Sequence, residues 1–355
     1  MSEPVLEVAG LKKYFNQGTS ILDTLLRRRR DTIQAVDDVS LSIREHDAKG
    51  LIGESGCGKT TLLKTLMGLH EPTDGEILFR GQDVSTFDKA GWKEFRQNVQ
   101  IIQQDPFNAL DPKMTVKESL LEPVHIHDLD RGEERIREAL RDAELSPVDE
   151  YLYRMPSQLS GGEKQRVAIA RVLILEPDVI LADEPVSMLD VSTQASILNL
   201  LERLIDDYDT SLLYISHDLS TVSYVCDTIH VMYLGRIVET APTLDVIENP
   251  KHPYTEALVS AIPIPDPDYG RARTQVEGSP KEPIELGDGC RFRDRCPERM
   301  DVCEVTPETV PVGEDHEAAC HLYYEHGERP TAEQDPTTDG ERGGRRPAGD
   351  GRGEQ

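Results

Sequence analysis

Short apolar runs alternate with helical patterns along much of the chain, and each run predicts a buried strand. Residues 179–182 (Val-Ile-Leu-Ala) and 212–215 (Leu-Leu-Tyr-Ile) are uninterrupted, and Leu51 and Ile52 end a third run. An apolar run without alternation is typical of a parallel strand that is buried on both faces. We therefore predict an α/β fold, with the chemistry gathered at the carboxyl ends of these strands, where such sheets bind ligands.

Helical periodicity marks two further regions. Between Trp92 and Tyr153 the pattern turns helical, with Ile136, Leu140 and Ala143 spaced among charges as on an amphipathic helix. A second set of apolar residues at helical spacing predicts core packing and carries no chemistry. It consists of Ile197, Leu198, Leu201, Leu204 and Ile205. The length of 355 residues suits one compact α/β domain with an appendage.

The charge of the chain argues against one class of partner. Asp and Glu number 66 against 39 Lys and Arg, which gives a net charge of −27. Nucleic-acid binding is driven by basic side chains that neutralise phosphates, so we expect no nucleic-acid partner. The acid is spread along the chain, as on the surface of a salt-adapted, halophilic protein, because high salt screens self-repulsion. No membrane-spanning apolar run and no secretory signal are found, so we expect a cytoplasmic protein.

Residues 53–60, Gly-Glu-Ser-Gly-Cys-Gly-Lys-Thr, form a complete phosphate-binding loop. Its glycines let backbone N–H groups turn inward toward a polyphosphate at a helix N-terminus. Lys59 supplies a charge to the outer phosphates, and the Thr60 hydroxyl is placed to ligate Mg²⁺. A glycine-rich turn with a solvated lysine is disfavoured, because strand, loop and helix occur in the required order. The predicted nucleotide-binding residues here are Gly53, Ser55, Gly56, Cys57, Gly58, Lys59, Thr60 and Thr61.

The other two predicted strands end in polar residues. Asp183 and Glu184 follow one strand, and His217 follows the other. Asp183 suits a partner of Mg²⁺ in its second coordination sphere, and Glu184 suits a base that orients and deprotonates the attacking water in phosphoryl transfer. Alone, such an acidic pair would more often be a solvated edge or a helix cap. The phosphate-binding loop upstream favours the catalytic interpretation.

Residues 159–163, Leu-Ser-Gly-Gly-Glu, precede a helix predicted from about residue 164 to 175 and form a second helix N-terminus with free N–H donors. Together with the loop at 53–60, this segment resembles the ATP-binding subunits of ABC transporters. The resemblance implies a P-loop NTPase (RecA-like) core, an antiparallel β-subdomain and a helical subdomain at about 92–158. It also implies a head-to-tail dimer, in which Ser160, Gly161, Gly162 and Glu163 cover the ATP that a partner holds. In isolation, the same segment would be an ordinary capped helix.

The same resemblance assigns further catalytic roles. Gln104 resembles the glutamine that ligates the metal and water and senses the membrane partner, with Gln103 as the competing register. His217 resembles the histidine that contacts the γ-phosphate and Glu184. Asp190 matches the position called the D-loop.

An aromatic residue near the N-terminus resembles the ring that stacks on adenine. The resemblance favours Phe15, with Tyr14 second, although an aromatic residue in a first strand is more often part of the core. Residues 16–34 resemble an insertion that contains the basic run Arg27–Arg30. This run could meet lipid headgroups or a permease loop, and a solvated hairpin is an equal alternative.

Four of the six cysteines cluster near the C-terminus, at Cys290, Cys296, Cys303 and Cys320. Clustered thiols in a cytosolic chain suit zinc or an iron–sulfur cluster, although no Cys-x2-Cys pair is found. This segment and residues 252–258 resemble the C-terminal region of oligopeptide and dipeptide transporter ATPases, which implies a [4Fe-4S] cluster. Zinc and four unligated thiols are the alternatives. Three arginines could offset the charge of a cluster, namely Arg291, Arg293 and Arg295.

The resemblance covers residues 1 to about 325. It implies an ABC nucleotide-binding domain at 1–247 and the C-terminal region with four cysteines at 248–324. The remaining residues, 325–355, have almost no apolar side chains, which predicts a disordered tail.

The implied function is that of a Mg²⁺- and ATP-dependent ATPase that energises a binding-protein-dependent importer at the cytoplasmic face of the cell membrane. Its partners would be two permease subunits, an extracytoplasmic solute-binding protein, and a second copy or a paralogous ATPase. Di- and oligopeptides are the favoured cargo, with nickel and oligosaccharides as alternatives. Other classes are a soluble non-transport ABC ATPase, disfavoured by the single phosphate-binding loop, and a metal or redox sensor.

Overall fold

Two β-sheets organise the part of the chain that the computed structural model describes, which is residues 3–16, 32–208, 210–261, 283–284 and 286–324. The described residues up to Tyr323 belong to one compact unit. The strands are β1 (Leu6–Asn16), β2 (Thr32–Ile43), β3 (Ala48–Ile52), β4 (Asp74–Phe79), β5 (Gln82–Asp83), β6 (Val99–Ile102), β7 (Val179–Asp183), β8 (Ser211–Ser216), β9 (Thr228–Tyr233), β10 (Arg236–Pro242), β11 (Val310–Gly313) and β12 (His316–Ala318).

The larger sheet has a parallel centre, as the apolar runs predicted. Strands β9, β3, β8, β7 and β6 lie side by side in this order and run parallel. The three predicted strand ends therefore lie at one edge of this sheet. Beyond β9 the sheet continues through antiparallel β10, β12 and β11.

The smaller sheet is antiparallel, in the order β2-β1-β4-β5, and it shares a hydrophobic core with the larger one. Leu62 and Leu66, on the helix that follows the phosphate-binding loop, belong to this core together with Val36 of β2 and Leu51 of β3. The loop is therefore held between two sheets. This architecture agrees with the predicted P-loop core and antiparallel β-subdomain.

Helices connect the strands and cover the larger sheet. In chain order they are α1 (Lys59–Leu66), α2 (Lys89–Asn98), α3 (Val116–Ile126), α4 (Gly132–Asp142), α5 (Val148–Tyr151), α6 (Gly161–Leu173), α7 (Val191–Asp207), α8 (Leu219–Val225), α9 (Thr243–Glu248) and α10 (Pro253–Ser260).

The helical group between β6 and β7 starts later than the range 92–158. Residues 92–98 finish α2, whose Phe95 packs in the core beneath the smaller sheet, and β6 then forms the edge of the larger sheet. Helices α3, α4 and α6 pack on one another through Leu120, Ile136 and Leu140, among others. The helical periodicity around Trp92 therefore belongs to a helix that covers a sheet, and periodicity alone does not distinguish this from a separate helical group.

The C-terminal region is built onto the larger sheet. Strand β12 pairs with β10, and the Ala319 amide donates to the Val238 carbonyl at 2.8 Å. Beneath this pairing, His316 Nε2 and Glu239 Oε1 lie 2.8 Å apart with both side chains almost fully buried. Residues that follow the ATPase core in sequence therefore extend its sheet.

Two predictions fall outside the described residues. They concern the basic run Arg27–Arg30 and the tail at 325–355. Within the described ranges, no helix is both long enough and apolar enough to cross a membrane.

Candidate functional site: a nucleotide cavity at the strand ends

The carboxyl edge of the parallel strands opens into a cavity of about 780 Å³. Its lining combines residues from the phosphate-binding loop with residues predicted from four other parts of the chain. Among the lining residues are Phe15, Gly53, Glu54, Ser55, Gly56, Gly58, Lys59, Thr60, Thr61, Gln104, Glu184 and His217. The fold thus brings most of the predicted nucleotide-binding and catalytic residues together.

The phosphate-binding loop depends on a glycine at the start of α1. Gly58 has a φ of 110°, and a Cβ there would lie 2.0 Å from the Ala35 carbonyl oxygen of β2. Only glycine fits this close approach. The next residue, Lys59, is 6% exposed, and its ammonium donates to the carbonyls of Gly53 at 2.6 Å and Glu54 at 3.1 Å. The lysine charge therefore lies inside the loop, beside the N-terminus of α1.

Cys57 is the predicted loop residue whose side chain does not line the cavity. It is 3% exposed and packs in the core shared by the two sheets, with its Sγ atom 3.8 Å from Lys59 Nζ. Burial raises the pKa of the Cys57 thiol. Cys57 can thus contribute only backbone atoms to a nucleotide.

Thr60 and Asp183 form a pair of oxygen donors below the loop. Asp183 ends β7, and the Thr60 side chain lies beside its carboxylate. Burial and, after it, the negative charge of Glu184 raise the pKa of Asp183. The raised pKa means that the ionised carboxylate is unfavourable at this site, and a bound divalent cation would stabilise it. Hydroxyl and carboxylate oxygens are ligands that Mg²⁺ accepts. The donor set therefore fits the predicted Mg²⁺ site.

Glu184 is held by the two residues predicted to act with it. Its Oε2 atom accepts from Gln104 Nε2 at 2.8 Å, and its Oε1 atom lies 2.8 Å from His217 Nδ1. The Glu184 side chain is 15% exposed and that of His217 is 57% exposed. Of the two competing registers, Gln104 is the one that contacts Glu184.

Phe15 rather than Tyr14 faces the nucleotide cavity. The Phe15 ring packs edge-on against His70, with 5.3 Å between centroids, and Lys13 Nζ lies 5.0 Å from its centroid. The Tyr14 hydroxyl instead donates to Asp37, away from the cavity. Phe15 is thus the ring available for stacking on a base.

The segment Ser160–Glu163 does not line the cavity of its own chain. Ser160 caps α6 by accepting from the Glu163 amide at 3.2 Å, and Glu163 accepts in return from the Ser160 amide at 2.7 Å. This capping box starts α6 at Gly161, three residues before the predicted start, and the helix ends at Leu173 rather than near residue 175. The segment packs on the start of α7, where a Cβ on Gly162 would lie 2.5 Å from Thr193.

Asp190 lies beside this segment as the N-cap of α7. Its carboxylate accepts from the Thr193 amide at 3.0 Å and from the Ser192 hydroxyl at 2.6 Å. These hydrogen bonds lower the pKa of Asp190 to about 2. Asp190 and residues 160–163 therefore lie on a surface outside this chain's own cavity.

The four C-terminal cysteines share one neighbourhood without forming a metal site. Cys290 donates its amide to the Cys303 carbonyl at 2.9 Å, and burial raises the pKa of Cys290 to about 11 and that of Cys320 to about 12. Nearby thiols, Cys296 among them, add smaller upward shifts. Within the described ranges, however, no three His, Cys, Asp or Glu side chains are arranged to hold a metal ion. The described side-chain geometry therefore forms neither a [4Fe-4S] site nor a zinc site.

The arginines of this region have other partners than a cluster. Arg295 pairs with Glu54, Arg291 pairs with Asp37, and Arg293 donates to the Asp288 carbonyl at 2.6 Å. Sequence reasoning missed Glu54 and its contacts with Arg295. The available signal was an acidic residue inside a phosphate-binding loop, where a negative charge needs a partner.

A phosphate-binding loop that shares one cavity with an acidic strand end, an aromatic ring and a histidine defines a P-loop nucleoside-triphosphate hydrolase. Two family models match the chain. The model described as "ABC transporter" matches residues 36–187, and the model described as "Oligopeptide/dipeptide transporter, C-terminal region" matches residues 238–303.

Curated relatives extend over most of the chain. The oligopeptide transport ATP-binding protein AppF of Bacillus subtilis strain 168 is 40% identical over 328 residues, covering 90% of this chain and 98% of AppF. The YkfD protein of the same strain is 42% identical over 327 residues, covering 90% of this chain and 96% of YkfD. The chain therefore belongs to the ABC transporter family, among ATP-binding subunits with the oligopeptide/dipeptide transporter C-terminal region, and is an ABC-type ATPase.

Solved structures agree with this assignment. The cbiO1 protein of Clostridium perfringens, part of the ABC transporter complex cbiONQ, has a TM-score of 0.60 at 26% identity and covers 70% of this chain and 92% of its own. The ATP-binding cassette MJ0796 was solved as a dimer in a post-hydrolysis state with ADP and Pi. It has a TM-score of 0.57 at 27% identity, and the match covers 67% of this chain and 98% of the MJ0796 chain.

Proposed function

We propose that this chain hydrolyses ATP to drive import of di- or oligopeptides through separate permease subunits. The observation that carries the proposal is the contact of Glu184 with Gln104 and His217 beside the phosphate-binding loop. The cargo is inferred from relatives such as AppF, which is named as an oligopeptide transport protein, and from the matching C-terminal region.

In the proposed reaction, the loop and Lys59 hold the phosphates, and Phe15 stacks on the adenine. Mg²⁺ would be held by the side chains of Thr60, Asp183 and Gln104, and it would neutralise charge on the phosphate oxygens. Glu184 orients a water molecule for in-line attack on the γ-phosphorus and takes its proton, while the bond from that phosphorus to the bridging oxygen breaks and ADP leaves. Its contact with His217 fixes the direction of the carboxylate.

Two ATPase subunits are proposed to share each nucleotide. Ser160–Glu163 and Asp190 lie outside this chain's own cavity, and the N-terminus of α6 offers N–H donors to an anion. A partner arranged head to tail would bring these donors to the ATP that this chain holds. The similar ATP-binding cassette MJ0796 was solved as a dimer bound to ADP and Pi, which supports a dimer here.

The proposed partners are two permease subunits, an extracytoplasmic solute-binding protein, and a second copy of this chain or a paralogous ATPase. This assembly would place the chain at the cytoplasmic face of the membrane, with Gln104 and the helical group of α3 and α4 toward the permease.

The test is to purify the complex from its own membrane through a tag on this subunit and to reconstitute it in liposomes. Peptide-loaded binding protein should raise ATP hydrolysis, whereas nickel- or oligosaccharide-loaded protein should not. Stimulation by nickel or by an oligosaccharide alone would replace the proposed cargo. Purification without any permease would favour a soluble ABC ATPase and would contradict the transport role.

A metal centre at the four cysteines is a separate proposal, supported by the shared neighbourhood of their thiols. The described geometry does not form such a site, so metal binding would need these side chains to rearrange. Iron and acid-labile sulfide analysis after anaerobic purification tests it. About four irons and four sulfides per chain would support a [4Fe-4S] cluster, zinc alone would replace it, and no metal would reject both.

A further inference from the structure

Glu54, the second residue of the phosphate-binding loop, is held from outside the loop by two residues from the C-terminal part of the chain. Its carboxylate accepts two hydrogen bonds from Arg295, one from Nη1 at 2.9 Å and one from Nη2 at 3.1 Å. Its backbone amide donates to the Tyr254 hydroxyl at 2.8 Å. The Glu54 carbonyl in turn accepts from Lys59 Nζ at 3.1 Å, so Glu54 is linked directly to the lysine that faces the phosphates.

The Arg295 guanidinium is fixed in place by its surroundings. Its side chain is 12% exposed and lies over the rings of Tyr233 and Phe292, at 5.9 Å and 5.8 Å from their centroids. A bidentate ion pair of this kind fixes both the position and the direction of the Glu54 carboxylate. Side-chain motion that would loosen Glu54 is therefore restricted.

The charge of Glu54 gives this pair a role in nucleotide binding. Glu54 lines the nucleotide cavity, where the phosphates of ATP would bring several negative charges. An unpaired carboxylate there would repel them, because the interaction of charges a few ångströms apart is not fully screened at a partly buried site. Arg295 neutralises this carboxylate.

The C-terminal region does not need Arg295 to stay docked. Arg291 donates to Asp37 and to the Leu234 carbonyl, with the side chains of Arg291 and Asp37 each 7% exposed. The pairing of β12 with β10 and the buried contact of His316 with Glu239 add a second attachment. Removal of the Arg295 side chain should therefore leave the region in place.

We propose that Arg295 is a positioning residue of the ATP site, which acts through Glu54 to hold the phosphate-binding loop and to cancel a negative charge beside the phosphates. This role rests on the proposed ATPase function and deepens it. The C-terminal region thereby completes the nucleotide site of its own chain, in addition to any role of its cysteines.

The experiment measures the Kd of Mg·ATP by titration calorimetry, together with KM and kcat, for Arg295→Ala, Glu54→Gln and the double variant. Arg295→Ala should raise Kd and KM by about tenfold and leave kcat within about twofold. Because the unpaired carboxylate is the cause, the double variant should bind Mg·ATP more tightly than Arg295→Ala alone, within about threefold of the original chain. The Kd of Arg295→Lys should lie between that of the original chain and that of Arg295→Ala.

Arg299→Ala is the matched control. Arg299 lies in the same region, and among the described residues its ion pairs are with Glu304 and Asp294 rather than with the loop. An unchanged Kd in Arg295→Ala, or an equal loss in Arg299→Ala, would overturn the positioning role. A double variant as weak as Arg295→Ala would overturn the cancellation of the Glu54 charge. Failure of the original chain to hydrolyse ATP would instead overturn the proposed function, while the Kd comparison would still decide the role of Arg295.

Discussion

Glu184 has a backbone φ of 45°, a left-handed conformation that non-glycine residues rarely adopt, and its amide donates to the Ile215 carbonyl at 2.8 Å. Such a conformation persists only where the surroundings enforce it. Here it directs the carboxylate toward Gln104 and His217. The sequence could predict this residue because an acidic pair directly after a buried strand must emerge at the ligand-binding edge.

The pair of Arg295 and Glu54 lay beyond sequence reasoning. The two residues are 241 positions apart, and no local pattern connects them. Arg295 is one of three arginines in a five-residue stretch, so only packing distinguishes it from its neighbours.

We predict that Phe15→Ala weakens binding of ATP by about 1–3 kcal/mol, which is about fivefold to 150-fold in Kd, because base stacking on an aromatic ring contributes this much. Phe15→Tyr keeps a ring and should bind within about twofold of the original chain. Titration with Mg·ATP measures both. Equal affinity of Phe15→Ala and the original chain would remove Phe15 from the site.

Asp183→Asn should make the protein more stable and inactive. The pKa of Asp183 is raised by burial and by Glu184, so its ionised form costs folding free energy at neutral pH. This cost is complete above the raised folded-state pKa and disappears as the pH falls toward the ordinary value of 3.8.

The thermal midpoint of Asp183→Asn should therefore exceed that of the original chain at pH 7, and the difference should shrink on acidification. Mg²⁺-dependent hydrolysis should be lost. A lower midpoint at pH 7 would contradict the sign of this argument.

At the level of elements, caps decide where the functional helices begin. The box formed by Ser160 and Glu163 starts α6, and Asp190 starts α7. The central strands could be predicted because their apolar runs are uninterrupted. Strands β11 and β12 could not, because they are only four and three residues long, and β12 forms by pairing with β10 and β11 by pairing with β12.

We predict that Ser160→Ala lowers the free energy of unfolding by about 1 kcal/mol through loss of the cap. Glu163→Gln should change it by less than about 0.5 kcal/mol, because a glutamine completes the same capping box and only a half-buried ion pair with Arg154, at 3.4 Å, is lost. Denaturant unfolding compares the two. Equal destabilisation would show that the charge of Glu163, rather than the box, starts the helix.

The whole molecule carries a net charge of −27, and we propose that its surface is adapted to high salt. Acidic side chains repel one another in dilute buffer, and molar salt shortens the screening length to about 3 Å. The thermal midpoint should therefore rise between dilute buffer and molar KCl. Sucrose at matched osmolarity is the control, and a midpoint that is unchanged by KCl would contradict the proposal.

The shared-nucleotide dimer is the central claim at this scale, because it explains why Ser160–Glu163 lie outside the chain's own cavity. Glu184→Gln should bind Mg·ATP without turning it over and should therefore accumulate as a dimer. Multi-angle light scattering with saturating Mg·ATP should then give about twice the 39.7 kDa of one chain, and one chain's mass without nucleotide. The mass of a single chain at saturating Mg·ATP, both alone and mixed with any paralogous ATPase from the same cells, would contradict the account.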